Sequence, residues 1–311
     1  MKTEYSDRLL EIAIVHQRRG VGRIQPFDGW LQNQFPGFML GKPGVMKRAL
    51  SDPASGNERN VAFGISVLLL AVVFLSGCVP AATTPIETLR REYDGPAAAH
   101  RILIVYLPGS GDQLTAFEEN GLLRSLREKD VPADVISVYA HLGYYLAGSV
   151  PARLEEDVVK PARAAGYRQI WFVGNSLGAY GSLSYARAHP GEIAGLVLLG
   201  PYLGERSVFE EIERAGGLRK WDPGAIEKKS REGDERLLWQ WFRDGGLTGG
   251  LPPTYLGYGR HDRFAYAQQE LASLLPRERV IVIDGGHDWP TWKKAWDQFL
   301  ERDILPRSFG N

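Results

Sequence analysis

Cysteine and surplus charge are both nearly missing from this chain. Its 311 residues include one cysteine, Cys78, which excludes an internal disulfide. The 37 basic and 37 acidic side chains cancel, and no long run carries one sign. This balance argues against nucleic acid or an anionic surface as an electrostatic partner. No internal repeat is present. The hydrophobic fraction of 44% is ordinary for a globular protein, so we expect one or two folded domains with a real core.

Long uncharged apolar runs are scarce, and the clearest one precedes the main domain. Residues 61–78 read VAFGISVLLLAVVFLSGC, with Lys47, Arg48 and Arg59 upstream. A basic flank, an apolar stretch and small residues at its end are typical of a secretory signal peptide. The run is at the short limit of the roughly 17–25 residues that span a bilayer. An uncleaved signal anchor, in which Cys78 is incidental, is therefore the alternative.

The residues Leu75-Ser76-Gly77-Cys78 resemble the lipobox of bacterial lipoproteins. The resemblance implies that Cys78 is lipidated and becomes the first residue of the mature protein. It predicts a lipid-anchored protein of the bacterial envelope that faces outside the cytoplasm. Val79 after Cys78 favours the outer membrane if the source is Gram-negative.

The segments before the main domain are predicted as follows. The lipoprotein signal peptide covers 46–77, with Met46 or Met39 as initiator, and a tether covers 78–99. Residues 1–45 are then a mis-annotated or disordered extension, and a genuine cytoplasmic extension is the alternative.

Strand and helix patterns alternate through the domain predicted over 100–311. The apolar runs are continuous, which is typical of parallel strands that are buried on both faces. Strands that alternate with helices predict a mostly parallel, doubly wound α/β sheet with helices on both faces. The segment at about 204–250 is charged and rich in tryptophan, and it predicts a small helical cap insertion. The predicted strands lie within RILIVYLPG, ADVISVYA, QIWFVGN, IAGLVLLGPY, TYLGYGRHD and RVIVIDGGHD.

A serine lies between two glycines where the third of these strands passes into a helical run. Ligands collect at the carboxyl ends of parallel strands, and Gly174-Asn175-Ser176-Leu177-Gly178 has the G-x-S-x-G pattern of a nucleophile elbow. The glycines suit a sharp turn in which side chains would clash with neighbouring backbone. We predict that Ser176 is a nucleophile. The alternative is a tight turn that only needs small residues.

A serine nucleophile needs a base. Of the six histidines, His287 is the best candidate, because it follows two glycines after the last predicted strand. Asp262 lies between Ser176 and His287 in the chain and follows a strand, which gives the order Ser, acid, His. The alternative role of Asp262 is that of a helix N-cap. His261 is predicted to line the site wall, and His141 is interpreted as structural or as part of that wall.

The segment LPGSGD follows the first strong strand and is the candidate oxyanion loop. We predict that the backbone N–H groups of Leu177 and Ser110 bind the negative oxygen of the reaction intermediate. A plain Pro-Gly turn is the alternative.

Four separated motifs, LPGSGD, GNSLG, GRHD and GGHDW, make the chain from about 101 to 300 similar to the α/β-hydrolase family. Pro108 stands where many members have histidine. The resemblance implies an eight-stranded, mostly parallel sheet, which can be reduced here, and a cap after the sixth strand. It implies a serine hydrolase with a Ser-His-Asp triad and an acyl-enzyme intermediate.

The expected substrate is a small carboxylic ester or a lipid, with no metal and no cofactor. A thioesterase, an amidase or another acyl hydrolase on the same triad stays open. A non-catalytic envelope lipoprotein that uses the fold for binding is the alternative of a different class. The oligomeric state is left open.

Overall fold

The apolar runs form one mixed sheet in the computed structural model, which describes residues 80–94, 102–227, 230–245 and 252–305. Within these ranges the sheet has seven strands, in the order β1-β3-β2-β4-β5-β6-β7. All neighbouring strands pair in parallel except β1, which is antiparallel to β3. The strands are β1 (Thr88–Arg91), β2 (Ile102–Leu107), β3 (Ala133–Val138), β4 (Gln169–Asn175), β5 (Gly195–Leu199), β6 (Thr254–Gly259) and β7 (Val280–Ile283). The six predicted strands are confirmed.

Helices follow the strands and cover both faces of the sheet. A π-helical turn at Glu155–Val159 joins α4 to α5, and short 3₁₀ turns lie at Leu218–Lys220 and Arg277–Arg279. The α-helices of the described ranges are α1 (Ala116–Glu119), α2 (Leu122–Glu128), α3 (Leu142–Leu146), α4 (Val150–Leu154), α5 (Lys160–Ala164), α6 (Leu177–Ala188), α7 (Arg206–Arg214), α8 (Arg231–Arg243), α9 (Ala265–Ser273) and α10 (Trp289–Glu301). The doubly wound α/β architecture is therefore as predicted.

The central strands are buried on both faces because each face has its own apolar core. Alternate side chains of a strand point to opposite faces, and in β2 they join different clusters. Leu103 and Val105 pack with the α4–α6 side and the cap. Ile104 and Tyr106 pack with the side of α1, α2 and α10. This division explains why the strands read as unbroken apolar runs.

The predicted tether over 78–99 is wrong for part of its length, since residues 88–91 form β1. Leu89 and Arg90 pair with Ser137 and Ile136 of β3. Just before the strand, Ile86 is 3% exposed and its N–H donates to Asp157 Oδ2 at 2.8 Å. The strand lies at the sheet edge, where one face is exposed and the other is only partly buried, so it has no continuous apolar run. Cys78 and the signal peptide lie outside the described residues.

Two predicted helices are interrupted by local backbone chemistry. The run TAFEENGLLRSLREKD forms α1 and α2 rather than one helix, because Gly121 adopts φ 78° between them. The run ARLEEDVVKPARAAG contains the π turn, and Pro161 follows it at the start of α5. A proline has no N–H to donate to the preceding turn, and a π turn is one way for a helix to accommodate that loss.

The predicted cap is helical in its described part, which ends at residue 245. It consists of α7, the 3₁₀ turn at Leu218–Lys220 and α8, and it lies between β5 and β6. Trp239 anchors α8, because its buried indole N–H donates to the carbonyl of Leu203 at 2.8 Å. The cap follows the fifth strand and not the sixth, since the described sheet has seven strands instead of eight. None of the described helices is long and apolar enough to cross a bilayer.

Removal of the Phe299 side chain should destabilise the domain strongly. This ring is fully buried in α10 and packs edge-on against Tyr255 with centroids 5.8 Å apart. We expect Phe299→Ala to lower the free energy of unfolding by about 3–5 kcal/mol, measured by urea denaturation. Leu146→Ala is the control: Leu146 is 63% exposed, so a change within about 0.5 kcal/mol is expected. Equal effects of the two variants would contradict the assignment of the core.

Candidate active site

The turn at Ser176 joins β4 to α6 in a backbone conformation that side-chain-bearing residues rarely adopt. Ser176 has φ 50° and ψ −116°, and such strain persists only where the surroundings hold it. Three backbone hydrogen bonds do so here. Ser176 N–H donates to the carbonyl of Leu199 at 3.0 Å, and the Ser176 carbonyl accepts from Tyr202 at 3.0 Å and Tyr180 at 3.4 Å. The serine is thereby fixed to β5 and to the segment that follows it.

The two glycines of the turn have a steric explanation. A Cβ on Gly174 would lie 2.6 Å from the backbone of Gly178 and Ala179, and a Cβ on Gly178 would lie 1.9 Å from the carbonyl oxygen of Leu107. Real Cβ atoms do not approach backbone so closely. The helix can therefore start against the end of β2 only if glycine occupies position 178.

The structure brings Ser176, His287 and Asp262 into one hydrogen-bonded row. His287 Nε2 lies 2.9 Å from Ser176 Oγ, and His287 Nδ1 lies 2.8 Å from Asp262 Oδ2. The carboxylate accepts from Nδ1–H, which leaves the Nε2 lone pair for the serine hydroxyl. All three side chains are nearly covered: Ser176 is 8% exposed, and the side chains of His287 and Asp262 are 9% and 0% exposed. Partial exclusion of water strengthens these polar contacts.

Asp262 lies beside His287, but it is not the helix N-cap of the alternative interpretation, because Phe264 occupies that position and no side chain caps α9. While Oδ2 contacts His287, Oδ1 accepts the backbone N–H of Phe264 at 2.8 Å, just before α9. The loop between β6 and α9 is thus closed by the same carboxylate that orients the imidazole. A carboxylate held from both sides has little freedom to rotate away from the histidine.

Two aromatic rings hold the His287 ring in place. Phe264 and Trp292 both meet it edge to face, each with centroids 5.0 Å apart and interplanar angles of 84° and 89°. Such T-shaped contacts are favourable and directional. Together with the Asp262 contact, they determine the orientation of the imidazole.

The candidate oxyanion donors lie on the two sides of the serine. Leu177 is the first residue of α6, and Ser176 makes no side-chain cap hydrogen bond there. N–H groups of the first turn lack intrahelical acceptors, and the helix dipole favours negative charge at this end. Ser110 is exposed in the loop after β2. That loop adjoins the nucleophile, because a Cβ on Gly109 would lie 3.4 Å from Ser176 Cβ.

A buried polar network connects this loop to the nucleophile turn. Its centre is Asn175, which is fully buried directly before Ser176. Asn175 Oδ1 accepts from Tyr106 Oη at 2.7 Å and from Gly109 N–H at 3.0 Å, and Asn175 Nδ2 donates to Asp112 Oδ2 at 2.8 Å. Burial and the nearby charge of Asp112 raise the pKa of Tyr106, so its phenol stays a donor. No sequence pattern indicated a role for Asn175, Tyr106 or Asp112, although the aspartate ends the LPGSGD motif.

The remaining histidines of interest lie away from the triad. His261 was predicted to line the site wall, but its side chain is 68% exposed and pairs with Asp284 at 3.0 Å. The side chain of its neighbour Asp262, by contrast, is fully buried. His141 is structural: its Nδ1 accepts the N–H of Gly143 as the N-cap of α3. Burial lowers the pKa of His141.

Tyr202, which lies between β5 and α7, connects the cap to the site. Tyr202 lies edge to face against Phe264 with centroids 5.4 Å apart, and its hydroxyl donates to the buried Glu235 of α8. Glu235 also accepts Glu205 N–H at 2.9 Å, and Arg231 Nε at 3.2 Å. Burial raises the pKa of Glu235. The cap is therefore linked through Tyr202 to the ring that packs on His287.

Known proteins that are similar to this chain are similar only at low sequence identity. No protein-family model matches the chain, and no curated protein sequence matches it. Similar solved structures include the S-formylglutathione hydrolase FrmB of Staphylococcus aureus, at 15% identity and a TM-score of 0.47 over 74% of this chain and 100% of that chain. Est1E of Butyrivibrio proteoclasticus has 15% identity and a TM-score of 0.48 over 72% of this chain and 97% of that chain. MGS-MChE2, an α/β hydrolase from a lagoon-sediment metagenome, has 19% identity and a TM-score of 0.44 over 72% and 98%.

The close approach of α6 to β2 predicts a large effect of one added methyl group. Gly178→Ala should destabilise the protein by about 3 kcal/mol, because the Leu107 carbonyl must move away from the new Cβ. The control is Gly148→Ala, at an exposed glycine with φ 60° and no atom within 4 Å of an added Cβ. Backbone strain alone should cost it about 1 kcal/mol. Urea unfolding measures both, and a smaller loss for Gly178→Ala than for Gly148→Ala would contradict the close approach.

Proposed function

We propose that this chain, whose strand order, antiparallel edge strand and serine turn after β4 give it the α/β-hydrolase fold, is a serine hydrolase of carboxylic esters. One observation carries the proposal: the hydrogen-bonded row in which His287 lies 2.9 Å from Ser176 Oγ and 2.8 Å from Asp262 Oδ2. A serine, a base within reach of its hydroxyl and a carboxylate that orients the base are the parts that acyl transfer requires.

Acylation begins when Ser176 Oγ attacks the ester carbonyl while His287 Nε2 takes the hydroxyl proton. The resulting imidazolium is stabilised by Asp262, which stays ionised. The negative oxygen of the tetrahedral intermediate is bound by the N–H groups of Leu177 and Ser110. Its collapse breaks the ester C–O bond, and His287 returns the proton to the departing alcohol. The acyl group stays on Ser176.

Deacylation repeats these steps with water as the nucleophile. His287 takes a proton from the water, and the hydroxide attacks the acyl carbonyl. The second tetrahedral intermediate uses the same backbone donors. The carboxylic acid leaves as the proton on His287 returns to Ser176 Oγ. Every proton transfer of the cycle passes through one imidazole, whose position Phe264 and Trp292 limit.

The same residues support attack on thioesters or amides, because the acyl carbon is the common electrophile. Activated alkyl and aryl esters have good leaving groups, so their departing alcohols need the least stabilisation by the protein. The aromatic surroundings at Tyr202 and Phe264 favour an apolar acyl or alcohol part. We therefore place ester hydrolysis first, and a thioesterase or amidase second.

Lipid anchoring at Cys78 is part of the proposal and is supported by the lipobox resemblance. The Pro80 carbonyl lies against Gly143 of α3, and Thr83 Oγ1 is 2.9 Å from Tyr144 Oη. Two residues of extended chain span at most about 7 Å. A lipid on Cys78 would thus be attached close to the surface at α3.

The position of α3 would bring the anchored site near the membrane. Tyr145 Oη of this helix donates to the carbonyl of Leu177, next to the nucleophile, at 3.1 Å. The next residue, Leu146, is 63% exposed. An enzyme held in the bacterial envelope by this route would meet esters and lipids at the membrane surface, outside the cytoplasm.

Replacement of the nucleophile tests the mechanism. We expect Ser176→Ala to lower kcat for p-nitrophenyl acetate by about 10⁶-fold and to abolish labelling by a fluorophosphonate probe, because no other group attacks the carbonyl. The assay uses the full-length chain in detergent.

Ser182→Ala is the matched control for that substitution. Ser182 is a buried serine of the same helix, and its hydroxyl donates to the Gly178 carbonyl at 3.0 Å. It should keep activity within about threefold. Full activity in Ser176→Ala would contradict the mechanism. Absence of both turnover and labelling in the unaltered protein would favour the binding-protein alternative.

Replacement of the candidate lipidation residue tests the anchor. In bacterial cells, we expect Cys78→Ala to lose the incorporation of labelled palmitate and to leave the membrane fraction. In purified form, its kcat/KM for soluble p-nitrophenyl acetate should stay unchanged, because the triad is not altered, while hydrolysis of esters in vesicles should fall. Val79→Ala is the control and should stay lipidated. Palmitate incorporation into Cys78→Ala would contradict the anchor.

A further inference from the structure

We propose that Asn175 and Asp112 are positioning residues that fix the oxyanion loop against the nucleophile turn. The inference rests on the proposed function and extends it to two side chains that touch neither the triad nor the reacting carbonyl. The loop, residues 109–112, lies between the end of β2 and α1. Its geometry relative to Ser176 decides whether the backbone donor of Ser110 meets the negative oxygen.

The Asn175 amide holds the first residue of the loop. Asn175 is fully buried, and its Oδ1 accepts Gly109 N–H at 3.0 Å. Tyr106 Oη donates to the same oxygen at 2.7 Å, which prevents the amide from rotating without loss of a buried hydrogen bond. Because Asn175 directly precedes Ser176, the loop and the nucleophile are attached to adjacent backbone units.

Asp112 closes the loop from its other end. Its Oδ2 accepts Asn175 Nδ2 at 2.8 Å and Gly109 N–H at 3.0 Å, and its backbone N–H donates to the Gly109 carbonyl at 3.2 Å. Trp289 Nε1 lies 3.3 Å from the second oxygen, Oδ1. Each polar atom of the Asn175 side chain therefore has a partner in the loop, and the carboxylate is held by α10 as well.

The network occupies the backbone N–H of Gly109 and leaves the backbone N–H of Ser110 available. Gly109 N–H is shared between Asn175 and Asp112, whereas Ser110 N–H meets no acceptor among the described residues. Glycine is required at 109, because a Cβ there would lie 2.8 Å from Asn175 Nδ2 and 2.9 Å from Asp112 Oδ2. The loop can approach the amide only without a side chain at that position.

Such a network affects the transition state more than substrate binding. A donor contributes to catalysis when it is already aligned with the oxygen that gains charge, and a displacement of about 1 Å can cost about 10²-fold in rate. A ground-state ester carries little charge on that oxygen. Loss of the network should therefore lower kcat and leave KM nearly unchanged.

The experiment exchanges the two side chains. In Asn175→Asp two carboxylates face each other, so the loop should be displaced, and we expect kcat for p-nitrophenyl acetate to fall by about 100-fold. In the double variant Asn175→Asp, Asp112→Asn, the new carboxylate accepts from Tyr106 and Gly109, and the new amide donates to it. Each donor then has an acceptor again, although Gly109 N–H loses its second acceptor at position 112, and kcat should return to within about fivefold of the unaltered protein.

Three readouts separate positioning from loss of folding. Thermal unfolding of each variant shows which ones are folded at the assay temperature. Affinity for phenylboronic acid, which forms a tetrahedral adduct with the serine, should fall together with kcat in Asn175→Asp, while KM stays within about twofold. Gln113→Ala, an exposed neighbour in the chain, is the control and should leave kcat, KM and boronate affinity unchanged.

The outcomes are distinct. Rescue of kcat and boronate affinity in the folded double variant supports the positioning role. A folded Asn175→Asp variant with kcat within twofold of the unaltered protein overturns it, and so does a folded double variant that is no better than Asn175→Asp. If only Asn175→Asp is unfolded, the kcat of the folded double variant decides. An unfolded double variant shows that the exchanged side chains do not restore the network, and it also overturns the positioning role. An unaltered protein without esterase activity overturns the proposed function, and the positioning role with it.

Discussion

The approach of α6 to the carboxyl end of β2 is the contact on which the site depends. Gly178 lies so close to the Leu107 carbonyl that an added Cβ would be 1.9 Å from that oxygen. Because the helix begins there, its N-terminal N–H groups, the strained Ser176 and the loop after β2 converge at one point. A wider separation would move the serine turn away from the loop after β2. The glycines of the turn are therefore needed for packing, and the position of Ser176 is a consequence of that packing.

The parallel sheet supplies the other members of the row. Ser176 follows β4, Asp262 follows β6 and His287 follows β7, so residues 111 positions apart in the chain meet at 2.9 Å. Parallel strands bring their carboxyl ends to one edge, and the loops there need only short side chains to reach each other. The sheet therefore determines where these three side chains meet, and the cap is connected to them through Tyr202.

Several buried polar groups of the site have more than one partner. Asp262 contacts both His287 and the backbone before α9, and Asn175 contacts Tyr106, Gly109 and Asp112. A buried polar atom without a partner is costly, so each of these side chains has few alternative orientations. The side chains that shape these loops are thus the same ones that contact, or lie beside, Ser176 and His287.

The sequence by itself determined the strands, the helical cap and the candidates Ser176, Asp262 and His287, because continuous apolar runs and short glycine-rich motifs are local signals. It did not reveal β1, whose half-covered residues have no apolar run, nor the interruption of helices at Gly121 and the π turn. Only the tertiary structure decided that His261 faces solvent while Asp262 faces inward, and that Asn175 and Asp112 meet. Those outcomes depend on distances between segments far apart in the chain, which no local pattern of residues encodes.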